Sequence, residues 1–298
     1  QLLMSNMQRT STSQFPPTMI GSCEFEWGKR TYVMGIVNAT PDSFSGDGVL
    51  PTTGDAQTAV DQALRMEDEG ADIVDVGGES TRPASVYPDA KPVAVGDEIA
   101  RVVPVIEKLS GRLGVPISID TRKAAVAAAA LDAGAVLAND VSRLGDREMA
   151  SVVAAHQVPI VLSHIREGGH SGSVVTDVLN DLTSAIGQLL DAGVNESKVI
   201  VDPGIGFAKN AGQSLELMRN IDWIRSSLEK PVLIGSSRKS FIGSVTDEPI
   251  DDRRFGTAAT VALSVQGGAD IVRVHDVAEM ARVVKMSDEL TRRDSTGV

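Results

Sequence analysis

The sequence is poor in cysteine, in aromatic residues and in long apolar runs. Its one cysteine, Cys23, excludes an internal disulfide and a cysteine-rich metal site, so we expect a reducing, cytoplasmic setting. No apolar run approaches the ~18–20 residues of a membrane-spanning helix, and no membrane partner is expected. Six Phe, two Trp and two Tyr in 298 residues are few for the sugar-stacking platforms of a glycosidase.

Basic charge is also in short supply. The 28 Lys and Arg residues stand against 40 Asp and Glu, which gives a net charge of −12 and a pI near 4.8. Nucleic-acid-binding domains are usually basic, so we expect no nucleic-acid partner. An acidic protein can nevertheless contain a local basic pocket for an anionic substrate.

Length and local composition predict one domain behind a polar extension. Residues 1–22 are rich in Ser, Thr and Gln and lack the apolar stretch of a signal peptide, so we expect a flexible extension or a cloning remnant. A (β/α)₈ barrel takes about 250 residues. Residues 23–298 therefore fit a single barrel domain.

Eight short apolar runs recur along the chain. A run that is apolar on both alternations is typical of a parallel strand buried on both faces. Helical patterns separate the runs, such as the one-sided apolar stripe of residues 99–109 and the alanine-rich stretch 255–265. The predicted strands are 33–37, 72–76, 116–119, 136–138, 159–163, 198–201, 231–235 and 270–274.

This alternation predicts an α/β protein with a (β/α)₈ TIM barrel. Polar residues follow nearly every predicted strand, whereas a doubly wound sheet concentrates them at one switch point. Residues 25–31 alternate around Gly28 and predict a short β-hairpin that plugs the barrel floor, with a loose turn as the alternative.

Two carboxylates, one amide and one lysine end predicted strands or follow them closely: Asp120, Asp202, Asn139 and Lys239. If they converge at one mouth, they can hydrogen-bond a flat heterocycle rich in N–H donors, because a carboxylate accepts two parallel N–H bonds. The alternative is that these side chains cap the following helices. A glycosidase-type carboxylate pair is disfavoured by the few aromatic residues.

Five cationic or imidazole side chains lie at or just after predicted strand ends: Arg82, Arg238, Lys239, Arg273 and His275. Cations at a barrel mouth indicate an anion, most simply phosphate or pyrophosphate. Asn38 ends the first strand and can offer a neutral oxygen to Mg²⁺ bridging such phosphates. Ordinary salt bridges with acidic residues are the alternative.

Glycine and apolar residues interrupt the polar loops. No Gly-Lys-Ser/Thr sequence completes a Walker A loop. Gly204 and Gly206 are expected to let the backbone approach a planar ligand closely. Phe44 and Pro83 are predicted to cover a second, aromatic substrate, and anchoring of the loops to the barrel rim remains the alternative.

Seven short segments together resemble the dihydropteroate synthase family, whose members are pterin-binding TIM barrels. They fall in the family's order, and the resemblance covers nearly all of residues 33–290. The segments are 35–45, 75–83, 118–121, 139–140, 202–209, 237–239 and 273–276. The chain departs from the family at 163–166, where Ser-His-Ile-Arg replaces Met-His-Met-Gln/Lys, and this leaves the lining of the pterin pocket open.

The resemblance implies roles for matching residues. The pterin site would be formed by Asp120, Asn139, Asp202, Gly206, Lys239 and Arg273. The pyrophosphate site would be formed by Asn38, Arg82, Arg273 and His275, with Asn38 binding Mg²⁺. The p-aminobenzoate site would be formed by Phe44, Thr81, Arg82, Pro83, Phe207, Ser237 and Lys239. The catalytic set would be Asp120, Asp202, Lys239, Arg273 and His275.

The family also implies a reaction. Pyrophosphate would leave 6-hydroxymethyl-7,8-dihydropterin pyrophosphate with Mg²⁺ assistance, in an SN1-like step, and the amine of p-aminobenzoate would attack the resulting cation. Sulfonamides, which mimic p-aminobenzoate, would inhibit it. The family further implies a homodimer formed through outer helices. Two alternatives remain: a methyltetrahydrofolate-dependent methyltransferase on a similar barrel, and an inactive pterin-binding paralogue.

Overall fold

The computed structural model describes residues 15–39, 56–79, 93–166, 168–170 and 172–292. Ten strands and ten α-helices follow one another in these ranges. The strands are β1 (Thr18–Ile20), β2 (Cys23–Phe25), β3 (Tyr32–Asn38), β4 (Ile73–Gly77), β5 (Ile117–Asp120), β6 (Leu137–Asp140), β7 (Ile160–Ser163), β8 (Val199–Asp202), β9 (Leu233–Ile234) and β10 (Ile271–Val274). The helices are α1 (Gln57–Asp68), α2 (Val95–Leu109), α3 (Ala124–Asp132), α4 (Met149–His156), α5 (Val174–Asp191), α6 (Ala211–Arg219), α7 (Ile221–Leu228), α8 (Ser240–Thr246), α9 (Arg254–Gln266) and α10 (Val277–Thr291).

Strands β3 to β10 form one parallel sheet that curls into a nearly closed barrel. Their order is β8-β7-β6-β5-β4-β3-β10-β9. The two ends of that order meet through a parallel bridge between Val201 and Val232, and the N–H of Val201 donates to the carbonyl of Pro231 at 2.9 Å. The predicted TIM barrel is therefore confirmed. A search of the part of the chain that the structure describes finds no helix long and apolar enough to cross a membrane.

The helices cover the outside of the barrel with the faces that the sequence marks as apolar. Val102, Ile106 and Leu109 of α2 are fully buried. Together with the outward side chains of β3, β4 and β5 they belong to one apolar cluster between the helices and the sheet. A second such cluster covers the strands on the opposite side of the barrel.

The floor of the barrel is filled from inside by an N-terminal plug. Inward side chains from seven of the eight barrel strands form an apolar cluster at this end. They include Met34, Ile73, Leu137, Val161, Ile200, Leu233 and Ile271. Phe25, Trp27 and Tyr32 pack against them as an aromatic group. The indole N–H of Trp27 donates to Thr18 at 2.9 Å, so the largest plug residue is also hydrogen-bonded.

The hairpin lies further towards the N-terminus than the sequence predicts. Strand β1 pairs with β2 in antiparallel register, so the turn falls near Gly21 rather than Gly28. The predicted boundary between residues 22 and 23 therefore cuts through an ordered hairpin. The reason is burial, because Ile20 and Phe25 form its apolar face against the barrel floor. The extension is predicted over residues 1–22, and its residues 1–14 lie outside the described residues.

Candidate active site

The carboxyl ends of the barrel strands bring the predicted polar residues to one mouth. The parallel register places Asn38 beside Gly77, Gly77 beside Asp120, and Asp120 beside Asn139. Asp202 ends β8 next to Ser163 of β7. Because neighbouring parallel strands keep their ends at one level, residues separated by long stretches of chain become neighbours.

A buried network at this mouth centres on Arg273. Its Nε donates to Oδ2 of Asp75 at 2.6 Å, and its Nη2 donates to Oδ2 of Asp120 at 2.5 Å. The amide of Asn139 donates to the same Asp75 oxygen at 2.9 Å. The guanidinium thus bridges two carboxylates and orients both. The salt bridges that the sequence left open as an alternative are present for Arg273.

Asp75 is a site residue that the residue-by-residue sequence argument missed. It has no exposed surface and lies in the middle of β4 rather than at a strand end. A carboxylate inside a short apolar strand is itself a signal, because an unpaired buried charge is strongly unfavourable. The sequence alone contained no indication of its partner, which lies 198 positions away.

Several buried oxygens of the network lack a partner among the residues that the structure describes. They are Oδ1 of Asp75, Oδ1 of Asp120, the Asn139 carbonyl Oδ1 and the Ser118 hydroxyl. Buried polar atoms are normally hydrogen-bonded, so this cluster of acceptors fits a ligand that brings N–H donors. The register places Asp120 beside Asn139 at the mouth, and their contact with a pterin stays a prediction.

The charge state of Asp120 is finely balanced. Burial raises the pKa of Asp120 to about 7; the Arg273 charge opposes this change, and the Asp75 charge adds to it. Burial also disfavours the charge of Arg273, but the two carboxylates outweigh burial and raise the pKa of Arg273 above its ordinary value. Near neutral pH the arginine is charged, and Asp120 loses its proton at a higher pH than an ordinary aspartate because its pKa is raised.

Asp202 and Lys239 form the second half of the mouth. Asp202 accepts the N–H of Gly204 at 2.7 Å and the hydroxyl of Ser163 at 3.3 Å. Ser163, where the chain departs from the family, therefore supports a site carboxylate. The Lys239 ammonium donates to the Ile205 carbonyl and lies 4.1 Å from the centre of the Phe207 ring. Burial lowers the pKa of Lys239 to about 8, with Asp202 opposing that change.

The glycines of this loop are required by contacts within the protein. Gly204 and Gly206 have φ values of +71° and +76°. A Cβ on Gly204 would lie 1.9 Å from the His164 carbonyl oxygen, and one on Gly206 would lie 2.9 Å from Cδ of Lys239. Close backbone packing explains Gly204, and the positive φ together with the Lys239 side chain explains Gly206, in both cases without a ligand. Contact of Gly206 with a pterin stays a prediction.

Ser237 and His275 form a pair beside the network. The Ser237 hydroxyl oxygen accepts the backbone N–H of His275 at 3.2 Å and lies 2.9 Å from His275 Nδ1. The hydroxyl can donate its proton to an unprotonated Nδ1 or accept from a protonated Nδ1, so either tautomer of His275 is compatible with this contact. The structure therefore couples Ser237 to His275, a pairing that the sequence did not predict.

Arg238 differs from the sequence expectation of an anion-binding cation. Its guanidinium donates to Asp276 through Nε at 3.1 Å and through Nη2 at 2.7 Å. Its backbone N–H donates to the Thr257 hydroxyl at 3.0 Å, and its φ is +56°. Arg238 thus fastens the loop after β9 to α9 and β10, which is a structural role.

Four predicted p-aminobenzoate or pyrophosphate residues lie outside the described residues: Phe44, Thr81, Arg82 and Pro83. Asn38, the predicted Mg²⁺ ligand, is the partly buried last residue of β3. In the described ranges no group of three or more His, Cys, Asp and Glu side chains is placed to bind a metal ion.

Comparison with known proteins identifies relatives of this chain. The model of the pterin binding enzyme family matches residues 34–275. The dihydropteroate synthase of Clostridium beijerinckii is 46% identical over 276 residues, which cover 92% of this chain and 99% of that protein. The dihydropteroate synthase of Bacillus subtilis is 47% identical over 266 residues, which cover 89% of this chain and 90% of that protein.

Solved structures show the same similarity. The Clostridium difficile dihydropteroate synthase, determined in the presence of pteroic acid, superposes with a TM-score of 0.84 at 40% identity and covers 90% of this chain and 100% of its own. The Xanthomonas albilineans enzyme in complex with 7,8-dihydropteroate gives 0.83 at 35% identity, with 94% and 100% covered. From the barrel, the mouth residues and these matches, the chain belongs to the pterin-binding enzymes and, within them, to the dihydropteroate synthases.

Proposed function

We propose that the barrel mouth joins 6-hydroxymethyl-7,8-dihydropterin pyrophosphate to p-aminobenzoate, releasing 7,8-dihydropteroate and pyrophosphate. The single observation that carries this assignment is the Arg273 network with its unpartnered acceptors at Asp75, Asp120 and Asn139. An aminopyrimidinone edge supplies adjacent N–H donors, and a row of fixed carboxylate and amide oxygens is the complementary surface.

The carboxylates also fit the chemistry. When the bond between the pterin methylene and the pyrophosphate oxygen breaks, the electron pair leaves with pyrophosphate and a cation spreads over the pterin ring. Asp120 and Asp202, held by hydrogen bonds, place negative charge beside that ring before the bond breaks. Fixed charges aimed at a developing charge lower the barrier because they need no reorganisation.

The loop after β8 and the residues after β9 form the second-substrate side of the proposal. Phe207, Ser237 and Lys239 are proposed to contact p-aminobenzoate, together with Phe44, Thr81, Arg82 and Pro83. The Lys239 ammonium above the Phe207 ring provides a cation next to an aromatic face, which suits a benzoate. An aniline nitrogen is already a nucleophile, so attack on the pterin cation needs no strong general base.

Mg²⁺ is the proposed cofactor, and the donor set at the mouth fits it. Mg²⁺ prefers oxygen ligands, keeps several waters and is commonly bound by one or two protein groups plus substrate phosphates. Asn38 offers one such oxygen at the end of β3. When bound, Mg²⁺ would neutralise charge on the leaving pyrophosphate. Arg82, Arg273 and His275 are proposed to act on the same group from the protein side.

The reaction can be tested directly. We would mix the protein with the dihydropterin pyrophosphate, p-aminobenzoate and Mg²⁺, and measure dihydropteroate and pyrophosphate by chromatography. We expect equal amounts of both products, a requirement for Mg²⁺ and suppression by a sulfonamide. Asp120→Asn should lower kcat/KM about 100-fold because one fixed negative charge is removed. Pterin binding without any product would contradict the proposal.

A second copy of this chain is the proposed partner, because α9 and α10 present apolar side chains to water. Phe255, Ala259 and Leu263 lie on one exposed face of α9 at i, i+4 and i+8, with Phe255 82% and Leu263 58% exposed. Leu290 of the neighbouring α10 is 72% exposed. Exposed apolar faces of this kind mark contact surfaces, and a self-complementary face gives a two-fold dimer.

The dimer is tested by light scattering after size-exclusion chromatography. The double substitution Phe255→Glu with Leu263→Glu should convert a dimer to a monomer while the circular dichroism spectrum is unchanged. Trp223→Glu on α7 is the control, because Trp223 is 59% exposed on another helix. A monomeric wild-type protein would contradict the proposal. Location in the cytoplasm and the absence of nucleic-acid and membrane partners stay predictions from composition.

A further inference from the structure

Lys209 binds two loops of the mouth to each other. Its ammonium contacts the Gly204 carbonyl at 2.9 Å and the Phe207 carbonyl at 3.1 Å, both in the loop after β8. It also contacts His164, just after β7, through the carbonyl oxygen at 3.3 Å and through Nδ1 at 3.0 Å. Four acceptors converge on one ammonium with three hydrogens, so one hydrogen is shared.

The segment that Lys209 holds carries three groups of the proposed site. The Gly204 N–H donates to Asp202, the Ile205 carbonyl accepts from Lys239, and the Phe207 ring lies beneath the Lys239 ammonium. All three belong to residues 204–207, and Lys209 binds the first and the last carbonyl of this segment. Movement of this segment would therefore displace the support of both Asp202 and Lys239.

We propose that Lys209 is a positioning residue for the synthase reaction, setting Phe207 and Lys239 for p-aminobenzoate by fastening the loop after β8 to the end of β7. Lys209 is not among the residues to which the family resemblance assigns a role. The inference rests on the proposed function, and it concerns the loop rather than the pterin network around Arg273.

His164 fits this role as a neutral partner. Its ring is buried; Nδ1 faces the Lys209 ammonium, and Nε2 lies 3.0 Å from an Asp181 oxygen. Burial lowers the pKa of His164 to about 3, and the nearby Lys209 charge adds to that change. A neutral imidazole accepts from Lys209 at Nδ1 and donates to Asp181 from Nε2, so both ring nitrogens are satisfied.

Asp181 in turn is held from two sides, which makes the β7 end a firm anchor. Arg166 donates to it from Nε at 2.9 Å, and Arg143 lies 2.5 Å from its Oδ2. The hydrogen bond from Arg166 lowers the pKa of Asp181 to about 2. Lys209 therefore connects the loop after β8 to a network of fixed charges.

The test compares Lys209→Met with a matched control, Lys230→Met. Lys230 is also a largely buried lysine, paired with Glu196 at 2.8 Å, but it lies at the plugged end of the barrel. In steady-state kinetics we expect Lys209→Met to raise the KM for p-aminobenzoate about tenfold, since sub-ångström to ångström displacements of positioning groups have effects of this size. The KM for the pterin substrate should rise less than the KM for p-aminobenzoate, because the network of Arg273 with Asp75, Asp120 and Asn139 lies outside the segment. Lys230→Met should leave both KM values within twofold.

Hydrogen exchange gives a second readout that does not need activity. The amides of residues 204–207 should exchange at least about tenfold faster in Lys209→Met than in wild type, because the carbonyls lose their shared donor. The amides of β8 should be unchanged. If Lys209→Met does not fold, Lys209→Gln, which keeps an N–H donor on a shorter side chain, is compared in the same way.

The results separate the role of Lys209 from the proposed function. An unchanged exchange rate at 204–207, or equal increases in the KM values for both substrates, would overturn the role of Lys209. Wild-type protein that makes no dihydropteroate would instead overturn the proposed function. The exchange comparison would still test the loop in that case.

Discussion

Replacement of Asp75 by asparagine is the sharpest test of the buried network. The change keeps the shape of the side chain and removes one negative charge next to Arg273. Asp75 accepts from Arg273 at 2.6 Å and from Asn139 at 2.9 Å, while Asp120 accepts from the other arm of the same guanidinium. With Asp75 neutral, Asp120 becomes the only carboxylate of the pair that balances Arg273.

The expected change concerns the pKa of Asp120, which burial and the Asp75 charge hold at about 7. Two carboxylates bridged by one guanidinium lie ~6 Å apart. At an effective dielectric constant of ~20, the repulsion between two unit charges at that distance is about 3 kcal/mol. One pKa unit corresponds to about 1.4 kcal/mol, so loss of the Asp75 charge should lower the pKa of Asp120 by about one to two pH units.

The assay is the pH dependence of kcat/KM for the pterin substrate. Because the carboxylate form of Asp120 accepts the pterin N–H groups, kcat/KM of the wild type should rise as pH increases through about 7. In Asp75→Asn this rise of kcat/KM should occur at lower pH. The maximum of kcat/KM should fall about tenfold, because the Arg273 guanidinium loses one of its two charged partners and is held less firmly.

Asp270→Asn is the matched control. Asp270 is likewise fully buried and pairs with Arg225 at 2.9 and 3.0 Å, but it precedes β10 at the plugged end of the barrel. It should lower stability and leave the pH profile in place. If kcat/KM of Asp75→Asn rises at the same pH as in wild type, or at a higher pH, the reasoning about the network is refuted.

Three further predictions concern the mouth. The raised pKa of Asp120 means that its ionisation destabilises the fold progressively between about pH 4 and 7. Urea unfolding at several pH values should therefore show the stability of Asp120→Asn rising relative to that of wild type between pH 4 and 8, and a stability difference that does not change with pH would contradict this. Because burial lowers the pKa of Lys239 to about 8, binding of p-aminobenzoate measured by calorimetry should weaken as pH rises through 8, and no such weakening should remain in Lys239→Met. Ser163→Ala removes one hydrogen bond to Asp202 and should cost about 1 kcal/mol of unfolding free energy without abolishing turnover.

Much of the site follows from one rule about sequence. Each predicted apolar run overlaps an observed barrel strand, and Asp120, Asn139 and Asp202 lie at the carboxyl ends of β5, β6 and β8. A barrel places those ends at one mouth whatever the helices between them do. That Asp120 and Asn139 are neighbours was therefore open to prediction from local patterns alone.

Other features depend on contacts between distant parts of the chain. Asp75 meets Arg273 across 198 positions, and Lys209 meets His164 across 45. The pairing of Arg238 with Asp276 likewise converts a predicted anion-binding side chain into a loop anchor. No local periodicity encodes which cation meets which carboxylate, because that choice depends on side-chain direction at the closed mouth.

The sequence by itself therefore determined the barrel, the end of the barrel at which the polar residues lie, and the family of the chain. These follow from strand pattern and motif order, which can be read from the sequence. The tertiary structure decided the pairing of charges, the ionisation of Asp120 and Lys239, and the start of the hairpin at Thr18. Those properties arise from burial and from partners remote in sequence, and both exist only once the barrel has closed.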